Sequence, residues 1–181
     1  MIIYCGLRHF YIHHFESPQT NAYYILTHNG EIWDFSPELK QYGVTNQIKP
    51  KAVFHLEKPV LTVPIALADF QPFSQSWHEF SKQYTAELEP EYPHAWYLRF
   101  QQESILKQFM EDFQTKAKLE LEGSICGAGF SKLVAKLAAH NLPQGNELIK
   151  PQQTEYFLRQ IPLHRLPLPE TASLEKLGIK T

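Results

Sequence analysis

Residues 124–138, Ser124-Ile125-Cys126-Gly127-Ala128-Gly129-Phe130-Ser131-Lys132-Leu133-Val134-Ala135-Lys136-Leu137-Ala138, decide how the chain is to be read. Leu119 to Cys126 alternates apolar and polar residues as a half-buried strand does. Gly127-Ala128-Gly129 then reads as a turn, and Phe130 to His140 as a helix. Lys132 falls in that helix's first turn, where unpaired backbone N–H groups favour phosphate. The stretch is not a Walker A loop, because the Gly-Lys-Ser/Thr ending is missing. Two readings stand side by side: a phosphate-binding turn, or a tight connection with a solvated lysine.

Working outward, Ile2 to Gly6 is an apolar run that suits a buried strand, and Leu7 to His14 continues it into aromatic and histidine residues. Ala22 to Leu26 and Gly30 to Phe35 read as strands joined at His28-Asn29-Gly30, since Asn-Gly tolerates the positive φ angles of a tight hairpin. Pro37 to Tyr42 suits a short helix stopped by Gly43, and Ala52 to His55 another strand. Phe73, Trp77, Phe80 and Tyr84 share one face of a helix within Asp69 to Tyr84. His94 to Phe100 reads as a strand, and Glu103 to Ala117 as a helix with Ile105, Phe109 and Phe113 inward. Pro151 opens one further helix and Pro169 another, the latter stopping at Gly178. Strands and helices mix without strict alternation, which argues α+β, a mainly antiparallel sheet backed by helices.

The 181 residues are 43% hydrophobic and 20% charged, a globular balance with enough chain for a core. Cys5 and Cys126 are too few for a disulfide framework and lack zinc-ribbon spacing, so a cytoplasmic location is the default. Met1 to Arg8 is too short an apolar run for a signal peptide, and no stretch approaches the roughly 20 apolar residues of a membrane span. Net charge is -2, with 8 Lys/Arg against 13 Asp/Glu up to Gln114 and 9 against 6 from Thr115 onward. The basic last third hints at an anionic partner.

Strand, glycines, Lys132-Leu133 and Ala135-Lys136, then Pro143-Gln144-Gly145 and a helix into Ile161-Pro162-Leu163, resemble the palm-to-thumb passage of Y-family translesion DNA polymerases. Ile2-Ile3-Tyr4-Cys5-Gly6-Leu7-Arg8-His9-Phe10-Tyr11 fits that family's opening strand without a gap. Ser36 to Val44 is similar to its fingers segment, and Glu89 to Leu98 occupies the place of its second acidic motif. The wording Leu168-Pro169-Glu170-Thr171 resembles the inactive ImuB-type branch of the bacterial mutasome. The resemblance implies a palm-like domain at 1–11 and 66–160, a fingers-like insertion at 12–65 and the start of a thumb-like segment at 161–181.

Nucleotidyl transfer by two metal ions needs carboxylates on adjacent strands to hold both cations. The positions matching the family's metal ligands are Gly6, Arg8, His94 and Ala95, none a carboxylate. A guanidinium at Arg8 repels a cation by about 4 kcal/mol per unit charge at 4 Å and an effective dielectric near 20. The resemblance implies vestigial nucleotide contacts at Tyr11, the steric-gate position, Lys40, in place of an arginine, and Lys132, on the triphosphate. Pro37 replaces a triphosphate-binding tyrosine. His9 and His13 have the four-residue spacing of zinc ligands, with no third ligand nearby. The expectation is a non-catalytic DNA-repair adaptor in SOS-type translesion synthesis, binding DNA weakly and mutasome or replication proteins, with no cofactor and no membrane association. The alternatives are a nucleotidyltransferase with substitute metal ligands and a pure protein-interaction module.

Overall fold

The computed structural model describes residues 1–18, 21–45, 58–121, 123–141 and 148–162. Its centre is β1 (Ile2–Leu7), flanked by β6 (Ala95–Arg99) and β7 (Ser124–Gly129), with β5 (Leu88–Tyr92) on the outer edge of β6. All three pairings are antiparallel. A second sheet holds β3 (Glu31–Phe35), β2 (Tyr23–His28) and β4 (Val60–Pro64). There β2–β3 is antiparallel and β2–β4 parallel. The class is α+β with a mainly antiparallel sheet, as the mixed element order implies.

The central strand sorts its side chains by the period of two. Ile3, Cys5 and Leu7 enter the main core with Trp96, Leu98, Phe109 and Phe113. Tyr4 points to the other face, with Ala95, Tyr97, Ala135 and Ala139. That main core receives α2 (Gln71–Lys82) and α3 (Glu103–Glu120), whereas α4 (Lys132–Asn141) covers the opposite face. Helix α5 (Pro151–Gln160), opened by Pro151 as its composition predicts, packs Phe157 against Val134 and Leu137 of α4. Inside the main core the Trp96 indole N–H donates to Ser81 Oγ at 3.2 Å, so the buried ring leaves no donor unpaired.

Several sequence-based expectations change. Gly127 and Gly129 are not a turn: they lie within β7, under α4. A Cβ on Gly127 would stand 2.1 Å from the Ala139 backbone N, and one on Gly129 2.7 Å from Val134. These glycines let helix and strand approach, a packing demand that imitates a turn signal in one dimension. Leu119 belongs to α3 and is 81% exposed, so the strand starts at Ser124. The alternation preceding it belongs to a helix end. Phe73 and Ile105 face out at 42% and 38% exposure, while Trp77, Leu106, Phe109 and Phe113 are buried. His94 lies in the β5–β6 turn rather than in the strand read from His94 to Phe100, and β5 precedes it as a further strand. Pro90 is accommodated next to a register shift on an edge strand. Pro37–Tyr42 winds as a 3-10 helix ending at Gly43, whose φ of 78° suits glycine. The strand expected at residues 52–55 and the helix opened by Pro169 lie outside the described residues.

Candidate functional site

The antiparallel register sets Gly6 opposite Ala95 on one side and Ile125 on the other. The ends of β1 and β7 and the β5–β6 turn therefore meet at one end of the sheet, where Leu7 N–H donates to the His94 carbonyl at 2.9 Å. There the chain leaves β1 through His9, in left-handed backbone at φ 52°, and enters the short helix α1 (Phe10–His14). Strand β3 and the 3-10 helix close over this end. A cavity of about 320 Å³ results, lined by Arg8, Tyr11, Asp34, Lys40, His94 and His140 among others.

Four of the residues singled out in the sequence, Arg8, Tyr11, Lys40 and His94, thus line one cavity. Gly6 and Ala95 lie beneath it, and Ala95 is fully buried. Lys132 stands elsewhere, at the far end of α4, with its ammonium 2.5 Å from both oxygens of Glu89 and over the Tyr97 ring. The last turn of α4, at the cavity end, supplies His140 instead. Lys136, one turn before His140, holds Glu91 at 2.8 Å. His9 and His13 do not converge, because the His9 ring turns to Asp34 while His13 sits edge-on to His14.

Sequence reasoning overlooked Asp34. It is 5% exposed, its Oδ1 accepting from His9 Nδ1 at 3.0 Å and Phe35 N–H at 2.9 Å, and its Oδ2 from Ile12 N–H at 2.9 Å. An acid inside a β-hairpin carries no signal until its strand is known to face a neighbouring loop. Tyr11, 2% exposed, packs edge-on against Trp33 and Phe70, with its hydroxyl 2.9 Å from His94 Nδ1. Burial lowers His94 to about 4, overcoming the attraction of Asp34 and Glu91. Burial, with Asp34 nearby, also raises the Tyr11 phenol, so the phenol donates and the neutral imidazole accepts. His140 is pushed below the usual range by burial first, then by Lys136 and Arg8, against the pull of Glu91.

This donor set does not fit a pair of divalent cations. Asp34 is the cavity's carboxylate, and both its oxygens already receive hydrogen bonds. Among the described residues no three His, Cys, Asp or Glu side chains converge as metal ligands. At Gly6 an added Cβ would lie 2.9 Å from Ile125 Cγ1, so the Ile125 side chain fills the space where a side chain at position 6 would stand.

The fold is shared with solved polymerases. It superposes on the "Post-insertion binary complex of Dbh DNA polymerase" with a TM-score of 0.74, at 15% identity, covering 99% of this chain and 58% of that one. DinB from Sulfolobus solfataricus gives 0.70 at 16% identity, with 99% and 58% covered. A Y-family DNA polymerase chimera of Dbh gives 0.73 at 14% identity, again with 99% and 58% covered. The architecture is therefore the palm/fingers-like part of a Y-family polymerase. The family model described as "impB/mucB/samB family" matches residues 14–140, and the chain belongs to that family. It is 25% identical over 146 residues to DNA polymerase IV of Pasteurella multocida (strain Pm70), covering 77% of this chain and 41% of that relative. It is also 25% identical over 150 residues to DNA polymerase IV of Pseudoalteromonas translucida (strain TAC 125), covering 78% and 42%. The chain spans about two fifths of the length of these curated relatives. No helix among the described residues is long and apolar enough to cross a membrane.

Proposed function

We propose that this chain is a non-catalytic Y-family-like protein of translesion DNA synthesis, an adaptor or DNA- and partner-binding module of the ImuB type in the bacterial SOS response. The palm-like part is 1–11 with 66–160, the fingers-like insertion 12–65, and 161–181 begins a thumb-like segment. Its partners are DNA and mutasome or replication proteins, and its site of action is the cytoplasm. One observation carries the reading. Where two-metal transfer needs converging free carboxylates, the cavity presents Arg8 and an Asp34 whose oxygens are both occupied by donors. The surviving residues bind and orient rather than transfer: Tyr11 and His94 hold each other, and Asp34 fixes the His9 turn. The test is primer extension by the purified chain with magnesium and with manganese. The expected result is no incorporation above a protein-free control. Incorporation that follows protein concentration would instead establish a nucleotidyltransferase with substitute ligands.

A further inference from the structure

We propose that the cleft binds a phosphate-bearing ligand without a divalent cation, the Arg8 guanidinium and the Lys40 ammonium serving as its direct counter-charges. This rests on the reading of the cleft as unable to hold metal. Arg8 follows the end of β1 and Lys40 lies in the 3-10 helix that follows β3, so two separate segments bring cations to one cavity. Neither has a carboxylate within 4 Å among the described residues, whereas Lys132 and Lys136 on neighbouring α4 hold Glu89 and Glu91. Both cleft cations are exposed and available to a ligand.

The other polar groups of the cavity do not neutralise them. Asp34 spends its oxygens on the His9 ring and on the backbone N–H groups of Ile12 and Phe35. Tyr11 and His94 are joined to each other, and neither carries charge at neutral pH. His140 adds a neutral ring to the wall. Two cations therefore face one buried carboxylate already surrounded by donors. A guanidinium fork matches two phosphate oxygens, and an ammonium adds a point charge. The charge that a metal ion would bring to a phosphate in this fold is here supplied by the protein's own side chains.

The experiment is calorimetric titration in EDTA at low salt with three probes: inorganic tripolyphosphate, a deoxynucleoside triphosphate and a short single-stranded oligonucleotide. At least one is expected to bind. Arg8→Ala and Lys40→Ala are each expected to weaken it about tenfold or more, as loss of a charge-assisted hydrogen bond does. Arg8→Lys should recover part of the loss, and Lys107→Ala, on the exposed face of α3, should change nothing. Arg8 and Lys40 are both exposed, and circular dichroism checks that the variants remain folded. Binding of tripolyphosphate and nucleotide alone identifies a free oligophosphate. If the oligonucleotide binds instead, the slope of log affinity against log salt should fall by about 0.7 for each cation removed, which identifies the nucleic-acid backbone. No binding of any probe, or binding unaffected by both alanine variants, overturns the proposal and leaves the non-catalytic reading standing. Binding that appears only with added magnesium overturns both.

Discussion

Gly6 decides more by what it lacks than by what it does. Its backbone keeps the register between Ala95 and Ile125, yet the volume in front of its Cα belongs to the Ile125 side chain. Restoring a carboxylate by Gly6→Asp therefore sets a side chain against Ile125 beside a sheet end already crowded by Tyr11 and His94. The single variant is expected to lose about 1–3 kcal/mol of stability, the usual range for overpacking. Because the two side chains compete for one space, Gly6→Asp with Ile125→Ala should cost less than the two single changes summed. Urea unfolding of the four proteins measures this; strict additivity would show that the space is not shared. The missing acid at position 6 was legible in the sequence, whereas its occupied volume was not. Ile125 is far away in the chain and arrives only through the β1–β7 register.

Among the elements, the contact between β7 and α4 is the most tightly determined. Gly127 and Gly129 stand on the α4 side of the strand, and Ala135, Ala138 and Ala139 recur along the helix, so the two backbones come within van der Waals reach. Gly127→Ala would drive its methyl group into the α4 backbone, which cannot yield as a side-chain tip can. We expect a loss of about 3 kcal/mol or more, at the upper end for a single added carbon. In the same urea assay, Ala128→Gly on the opposite face of the strand should lose about 1 kcal/mol through backbone entropy and lost packing. Similar losses for the two variants would contradict the close-approach account. The sequence made Gly127-Ala128-Gly129 conspicuous but misread its purpose, since turns and close packing both select glycine. Phe73 was misread by the same one-dimensional logic: its spacing fits the apolar stripe, but the buried line of this segment runs through Phe70, Ser74, Trp77 and Ser81, which leaves Phe73 stacked on His14.

For the molecule as a whole, histidine burial sets an acid limit. His14, His78, His94 and His140 all lie below the ordinary imidazole range, chiefly because burial disfavours the cation. In the unfolded chain each takes a proton near pH 6.5, whereas folded His94 does so only near 4. Between those values the unfolded state binds more protons, so stability is complete above pH 6.5 and is lost as pH falls toward 4. His94 alone accounts for about 3 kcal/mol of this loss. The urea midpoint should therefore drop clearly between pH 7.5 and pH 5, and His94→Gln should flatten the drop. A midpoint unchanged over that range would refute the burial-driven shift.

The sequence by itself determined the α+β class, the buried strand read at Ile2 to Gly6, the N1 role of Pro151 and the want of carboxylates at positions 6, 8, 94 and 95. These follow from local periodicity, from proline's fixed φ and from residue identity, which require no knowledge of distant neighbours. Only the tertiary structure decided that Arg8 and Lys40 share a cavity while Lys132 turns away to Glu89, and that Asp34 is engaged by a histidine 25 residues earlier and by two backbone N–H groups. Those outcomes depend on which strand edges pair and where each helix ends. The free energy selecting among such arrangements comes from burial across the whole core, a property that no stretch of sequence carries alone.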